Sequence, residues 1–125
     1  MTETYIEELI SHLGATATTV EVINPNTGQA IYDLPQHNAE QVATAVRAAR
    51  DAQKSWGKTA PKERAKFLYR LHDLILNEQD ELLDIVQLET GKVRAHAFEE
   101  IAGGLGAARY YAKVGPKALK SKSTH

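Results

Sequence analysis

The 125-residue sequence has a formal net charge of −1 and no cysteine, which excludes a disulfide framework, a cysteine-ligated metal site and a cysteine nucleophile. Its hydrophobic content of 42% is typical of one soluble domain, which would bury about two-thirds of its unfolded surface. The near-neutral charge disfavours nucleic acid and anionic membranes as partners, and the absence of a long apolar run or a basic leader predicts a cytoplasmic protein.

The first 36 residues predict a short helix followed by a β-hairpin. Residues 1–14 carry apolar side chains at helical spacing behind an acidic first turn, and Gly14 is placed to end that helix. Residues 15–36 form the predicted hairpin, because residues 18–23 are mostly β-branched and a turn rich in Asn, Pro and Gly follows them. Neither piece is stable alone, so we expect both to pack on the rest of the chain.

Two helices are predicted at the start of the segment 37–115. Asn38 and Gln41 have the spacing of a capping box, and Gly57 follows the last apolar residue of the first helix. The second helix begins at Pro61, since proline is tolerated in a first turn. The apolar faces predicted for these helices are Val42, Ala45, Val46, Ala49, Ala52 and Trp56, and then Phe67, Leu68, Leu71, Leu74 and Ile75.

Two further helices complete that segment. The third stops at Gly91, and the fourth runs from about residue 94 to residue 113, where Gly115 and Pro116 end it. Residues 116–125 then form a polar tail or linker. The predicted inward faces are Leu82, Leu83, Ile85, Val86 and Leu88 in the third helix, and Phe98, Ile101, Ala102, Leu105 and Ala108 in the fourth.

Three glycines lie inside the fourth predicted helix. Each of Gly103, Gly104 and Gly106 costs about 1 kcal/mol relative to alanine, which close packing of another backbone would offset. The pattern around Gly104 and Gly106 is partly that of a dinucleotide-binding loop. However, a helix precedes it instead of a strand, and Arg109 replaces the third small residue. We therefore interpret these glycines as packing positions.

No catalytic constellation is visible in the residue pattern. The five histidines lack the spacing of zinc ligands. Arg64 lies in the first turn of the second helix, where the helix dipole disfavours a cation, so we predict a structural salt bridge to an acid from another element. The residues alone therefore predict a mainly α fold with a small β-hairpin.

Five stretches follow one another in a recognisable order between residues 18 and 115. They are Val22-Ile23-Asn24-Pro25-Asn26-Thr27-Gly28-Gln29, the Ala-Val-Arg-Ala-Ala-Arg run between Val42 and Trp56, Pro61-Lys62-Glu63-Arg64 leading into Leu68-Tyr69-Arg70-Leu71, Leu88-Glu89-Thr90-Gly91-Lys92, and Arg109-Tyr110-Tyr111-Ala112. Their order and spacing resemble the extreme N-terminus of the NAD(P)-dependent aldehyde dehydrogenases, and within that family the succinate-semialdehyde dehydrogenases. The resemblance implies the helical N-terminal portion of that fold, without its Rossmann sheet.

The resemblance also implies chemistry that lies outside this chain. In the family, a cysteine thiolate attacks the aldehyde, hydride passes to NAD or NADP, and a glutamate-activated water releases the carboxylate. Those residues and the nucleotide-binding strands lie beyond the matching region, so no catalytic or cofactor-binding residue carries over and no cofactor is expected on this chain. One site does carry over: a monovalent cation held by the backbone carbonyls of Val22 and Ile23 and by Glu89.

Two functional hypotheses follow. The first is an N-terminal fragment of such a dehydrogenase, inactive alone, in which the length of 125 residues reflects a cut. The alternative is a stand-alone helical protein-interaction module derived from the same framework. Because the helix faces that would meet the sheet are left bare, we expect self-association through exposed apolar helix faces.

Overall fold

A computed structural model describes residues 2–14, 16 and 18–120 of the chain. Its elements in chain order are α1 (Thr2–Ser11), β1 (Thr18–Ile23), β2 (Ala30–Gln36), α2 (Ala39–Trp56), α3 (Pro61–Asn77), α4 (Gln79–Thr90) and α5 (Arg94–Ala118). The predicted fold class, mainly α with a small β-hairpin, is therefore confirmed. The last five residues of the predicted tail, 121–125, lie outside the described residues.

The hairpin is antiparallel, with Val22 opposite Tyr32. The chain reverses through a turn in which Asn24 Oδ1 accepts the backbone N–H of Asn26 at 2.9 Å. Gly28 has a φ of 70°, a conformation that glycine adopts without steric cost. The turn chemistry predicted from the sequence is therefore confirmed.

Two helix boundaries follow their local signals. Asn38 and Gln41 exchange hydrogen bonds of 2.9 Å between side chain and backbone, which completes the predicted capping box of α2. Gly91 ends α4 with a φ of 70°. In contrast, α1 ends at Ser11, before the predicted stop at Gly14. The backbone N–H groups of His12 and Leu13 each donate to the carbonyl three residues earlier, which tightens the last turn of the helix.

The last helix is longer than predicted. Gly115 and Pro116 do not end it, because α5 continues to Ala118 with Pro116 inside it, so residues 116–118 of the predicted tail are helical. A proline removes one backbone hydrogen bond and crowds the residue before it. Here that residue is a glycine without a Cβ, and its carbonyl accepts the N–H of Leu119 at 3.0 Å. Neither α5 nor any other described helix is long and apolar enough to cross a membrane.

The core is small and consists mainly of short side chains. α5 packs along α3 and α4, and α1 packs on α4. The buried residues are Ile6, Ala65, Leu83, Ala97, Ala108 and Ala112. The predicted burial of the larger residues is wrong at several positions, since Phe67 and Leu74 are each 53% exposed and Phe98 is 50% exposed. No residue of α2 is buried, and the described contact of its apolar face with another element is that of Trp56 with Phe67 of α3.

The chain exposes a large surface for its mass. Its accessible area is 9630 Å², whereas a compact monomer of 13.8 kDa exposes roughly 6,600 Å². The chain therefore buries about half of its unfolded surface, not the two-thirds expected from its length. Exposed large apolar side chains on the helices, such as Val42 and Phe67, contribute to this surface.

Candidate functional site at the hairpin turn and the α4–α5 connection

The hairpin turn and the α4–α5 connection lie against each other, and we name this region, residues 22–26 and 87–94, the junction. Gly91 lies at the contact, where an added Cβ atom would stand 2.9 Å from Asn26 Oδ1 and 3.0 Å from Pro25 Cγ. The φ of 70° at Gly91 favours glycine independently. Two stretches that are distant in the sequence are thus brought into direct contact.

Ion pairs join the α4–α5 connection and the start of α5 to neighbouring acids. Arg94 lies 2.5 Å from Asp84 and 2.7 Å from Asp80 on α4. The hydrogen bonds to Asp84 and then Asp80 raise the pKa of Arg94 above its ordinary value. Lys92 pairs with Glu100 on α5. The sequence interpretation missed the ion pairs of Arg94, although two acids four residues apart, such as Asp80 and Asp84, share a helix face and can bind one basic side chain.

Glu89 reaches the hairpin from the last turn of α4. Its carboxylate accepts a hydrogen bond from the hydroxyl of Tyr32, which lies opposite Val22 in the hairpin. The structure therefore links Glu89 to the hairpin through Tyr32, while the other predicted cation residues, Val22 and Ile23, lie at the end of β1. Carbonyl and carboxylate oxygens are hard donors that fit a monovalent cation, although the hydroxyl already engages one carboxylate oxygen. Sequence reasoning missed Tyr32, because a strand-to-helix contact leaves no local pattern.

Arg64 lacks the ionic partner that the sequence predicts. Among the side chains that the structure describes, no acid forms an ion pair with Arg64, and its Nε is buried without an acceptor. The nearby acid Glu63 pairs with Lys66 instead, at 2.6 Å. The predicted salt bridge is therefore wrong within the described chain. Arg64 is one of the residues that line a cavity whose walls include Trp56 and Phe67.

The glycines of α5 do not form a nucleotide-binding loop. Gly103, Gly104 and Gly106 lie inside a continuous helix, and no atom of a neighbouring element lies within 4 Å of a Cβ placed on any of them. The described strands form one antiparallel hairpin, whereas a dinucleotide site needs a strand, a glycine loop and a helix N-terminus in succession. Residues 2–14, 16 and 18–120 therefore contain no such strand–loop–helix unit. The described residues also do not provide the neighbouring backbone that we expected to pack against these glycines.

The junction supports an architectural role. Its one carboxylate, Glu89, accepts from Tyr32, and its basic residues Lys92 and Arg94 bind acids on α5 and α4. Ser11 and Ser55 donate their hydroxyl hydrogens to backbone carbonyls within their own helices. Over the described part of the chain, no three His, Cys, Asp or Glu side chains are grouped so as to hold a metal ion. This arrangement attaches the hairpin to α4 and to the α4–α5 connection.

Comparison with known proteins decides the family. The sequence profile of the aldehyde dehydrogenase family matches residues 12–125. The chain belongs to the aldehyde dehydrogenase family. A relative from Mycolicibacterium smegmatis named succinate-semialdehyde dehydrogenase (NADP(+)) is 42% identical over 96 residues, which are 77% of this chain and 19% of that protein. A malonate-semialdehyde dehydrogenase from Bacillus pumilus is 33% identical over 111 residues, which are 84% of this chain and 23% of that protein.

The fold agrees with this family assignment. The crystal structure of a succinate-semialdehyde dehydrogenase from Burkholderia pseudomallei matches with a TM-score of 0.80 and 32% identity, over 86% of this chain and 22% of that chain. The chain thus spans about a fifth of the length of the aldehyde dehydrogenases that it matches. These comparisons confirm the helical portion of the aldehyde dehydrogenase fold and favour it over a stand-alone interaction module. α1 ends just before the family match begins at residue 12.

Proposed function

We propose that this chain supplies the N-terminal helical portion of a succinate-semialdehyde-type dehydrogenase, an enzyme that oxidises an aldehyde to a carboxylate with NAD or NADP. The 42% identity to the relative with that name carries the proposal. NADP(+) in the same printed name supports the nicotinamide cofactor. The malonate-semialdehyde relative, at 33% identity, supports the broader class of semialdehyde substrates. We place the enzyme in the cytoplasm, as the composition predicts.

We further propose that the chain performs no catalysis alone. The resemblance assigns the nucleophile to a cysteine, and this sequence contains none. The test is incubation of the purified chain with succinic semialdehyde and either NAD⁺ or NADP⁺ while nicotinamide reduction is followed by absorbance. The expected rate equals that of a control without protein, and enzymatic turnover would contradict the proposal.

The cation site at the junction is a second proposal for this region. The carbonyls of Val22 and Ile23 and the carboxylate of Glu89 would hold Na⁺ or K⁺, whose chemistry matches hard oxygen ligands. We expect KCl to raise the melting temperature relative to choline chloride at equal ionic strength, because bound ion stabilises the folded state. Glu89→Gln is expected to remove this difference and Glu99→Gln, on the exposed surface of α5, to keep it. Equal melting temperatures in both salts for the unsubstituted chain would contradict the site.

Self-association through exposed apolar helix faces is the proposed assembly of the isolated chain. The apolar face of α2 supports it, since Val42 is 51% and Val46 is 53% exposed. Exposed apolar patches of this kind favour association, because pairing removes them from water. Light scattering over a broad concentration range is expected to show dimers or larger species, and a monomer throughout would contradict this proposal.

A pair of variants locates the associating surface. Val46→Glu places a charge on the apolar face of α2, whereas Thr44→Glu places the same charge on the opposite face of that helix. We expect Val46→Glu to shift the chain toward monomer and Thr44→Glu to leave the association unchanged. An equal effect of both substitutions would show that α2 is not the associating surface.

A further inference from the structure

A cavity lies where α2, α3 and α5 meet. Its volume is about 270 Å³, and it is bounded by the end of α2, the first turns of α3 and the last turns of α5. Its apolar wall includes Trp56, Phe67, Tyr111 and Leu119. The rings of Trp56 and Phe67 meet edge to face, with centroids 5.0 Å apart, which fixes one side of the cavity.

One charged residue is among those that line this largely apolar cavity. Arg64 is the only charged residue in the lining that the described chain provides, and its Nε is buried without a hydrogen-bond acceptor. A buried donor without an acceptor is unfavourable, because it has lost water and gained no partner. Arg64 also lies in the first turn of α3, where the helix dipole disfavours a positive charge. An anion in the cavity would relieve both effects.

We propose that this cavity binds a small carboxylate with a short apolar body. A guanidinium matches a carboxylate through two parallel hydrogen bonds, so a rotation of Arg64 toward the cavity gives Nε an acceptor. The aromatic and aliphatic walls receive the apolar body, and the volume suits a molecule at the small end of those that bind in protein pockets. The site lies apart from the junction, and it does not rest on the proposed dehydrogenase function.

The single tryptophan makes the test specific, because Trp56 is in the cavity wall. The chain is titrated with hexanoate and, separately, with hexanamide at equal ionic strength while selectively excited tryptophan fluorescence is recorded. Hexanoate is expected to change the emission in a saturable way. Hexanamide is expected to bind about tenfold more weakly or worse, the factor that corresponds to losing a charge-assisted hydrogen bond. Equal responses to both compounds, or no saturable response to hexanoate, would overturn the proposal.

Two substitutions assign the charge preference to one residue. Arg64→Gln is expected to abolish the preference for hexanoate over hexanamide. Lys66→Gln removes the same charge from the same helix at a side chain that is 67% exposed, so it is expected to keep the preference. Retention of the preference in Arg64→Gln, or its loss in Lys66→Gln, would overturn the assignment. The comparison of the two compounds on the unsubstituted chain remains decisive if Arg64→Gln does not fold.

Discussion

Gly91 lies so close to Asn26 that a Cβ atom on the glycine would stand 2.9 Å from the side-chain oxygen of the asparagine. The same residue ends α4 with a positive φ. Two independent requirements, the backbone conformation and the close approach of the hairpin turn, therefore select glycine at this position. The contact fixes the hairpin against the α4–α5 connection.

The first prediction concerns that contact. Gly91→Ala is expected to lower the free energy of unfolding by at least about 1–2 kcal/mol, the cost of a left-handed backbone conformation for a residue with a Cβ, with the clash at Asn26 in addition. Urea unfolding followed by helical circular dichroism measures it. An unchanged unfolding midpoint would contradict the left-handed conformation of Gly91.

The second prediction uses a glycine in the opposite environment. Gly106 lies inside α5 with no neighbouring element within 4 Å of an added Cβ atom. Gly106→Ala is expected to raise the free energy of unfolding of the chain by about 1 kcal/mol, because alanine has the higher helix propensity. The same urea experiment measures the change. Destabilisation would instead reveal a close backbone neighbour at this face in the folded chain.

Local signals in the sequence were sufficient where the structure depends on local interactions. Residues within one helix turn of each other form the capping box of Asn38 and Gln41 at the start of α2. The stop at Gly91 likewise depends on residues at the end of α4 alone. Pro116 shows the limit of such signals. A proline favours a helix end on average, but the preceding Gly115 removes the crowding, and α5 continues.

Burial and long-range pairing could not be predicted from the sequence. Helical spacing identifies Phe67 as part of an apolar face, but it does not show whether another element covers that face. The partner of Glu89 is Tyr32, and Arg64 forms no ion pair within the described chain. Such contacts depend on how distant segments of the chain pack together, and local patterns in the sequence do not show this packing.

The third prediction concerns the attachment of α1. Tyr5 donates a hydrogen bond of 2.5 Å to Glu78 at the α3–α4 boundary, and this bond raises the pKa of Tyr5 from 10.0 to about 12. Because tyrosine is neutral when protonated, the stabilisation from this bond is fully present below about pH 10 and is lost as the pH rises toward 12. We expect the docking of α1 on α4 to weaken over that interval.

Alkaline titration of tyrosine absorbance tests this pKa. A late ionisation step near pH 12 is expected from Tyr5. Tyr5→Phe is expected to remove that late step, whereas Tyr110→Phe, at a side chain that is 59% exposed, is expected to keep it. A late step that survives in Tyr5→Phe would assign the raised pKa to another residue.

The central claim, that this chain is the N-terminal helical portion of a semialdehyde dehydrogenase, is tested most directly by exchange. Residues 18–115 replace the segment that aligns with them in the Burkholderia pseudomallei succinate-semialdehyde dehydrogenase, and the kcat for succinic semialdehyde is measured with NAD⁺ and NADP⁺. We predict a chimera with a kcat of the same order as the parent enzyme, because the exchanged segment supplies scaffold and the catalytic residues are retained. A chimera that folds and assembles as the parent does but lacks this activity would contradict the claim.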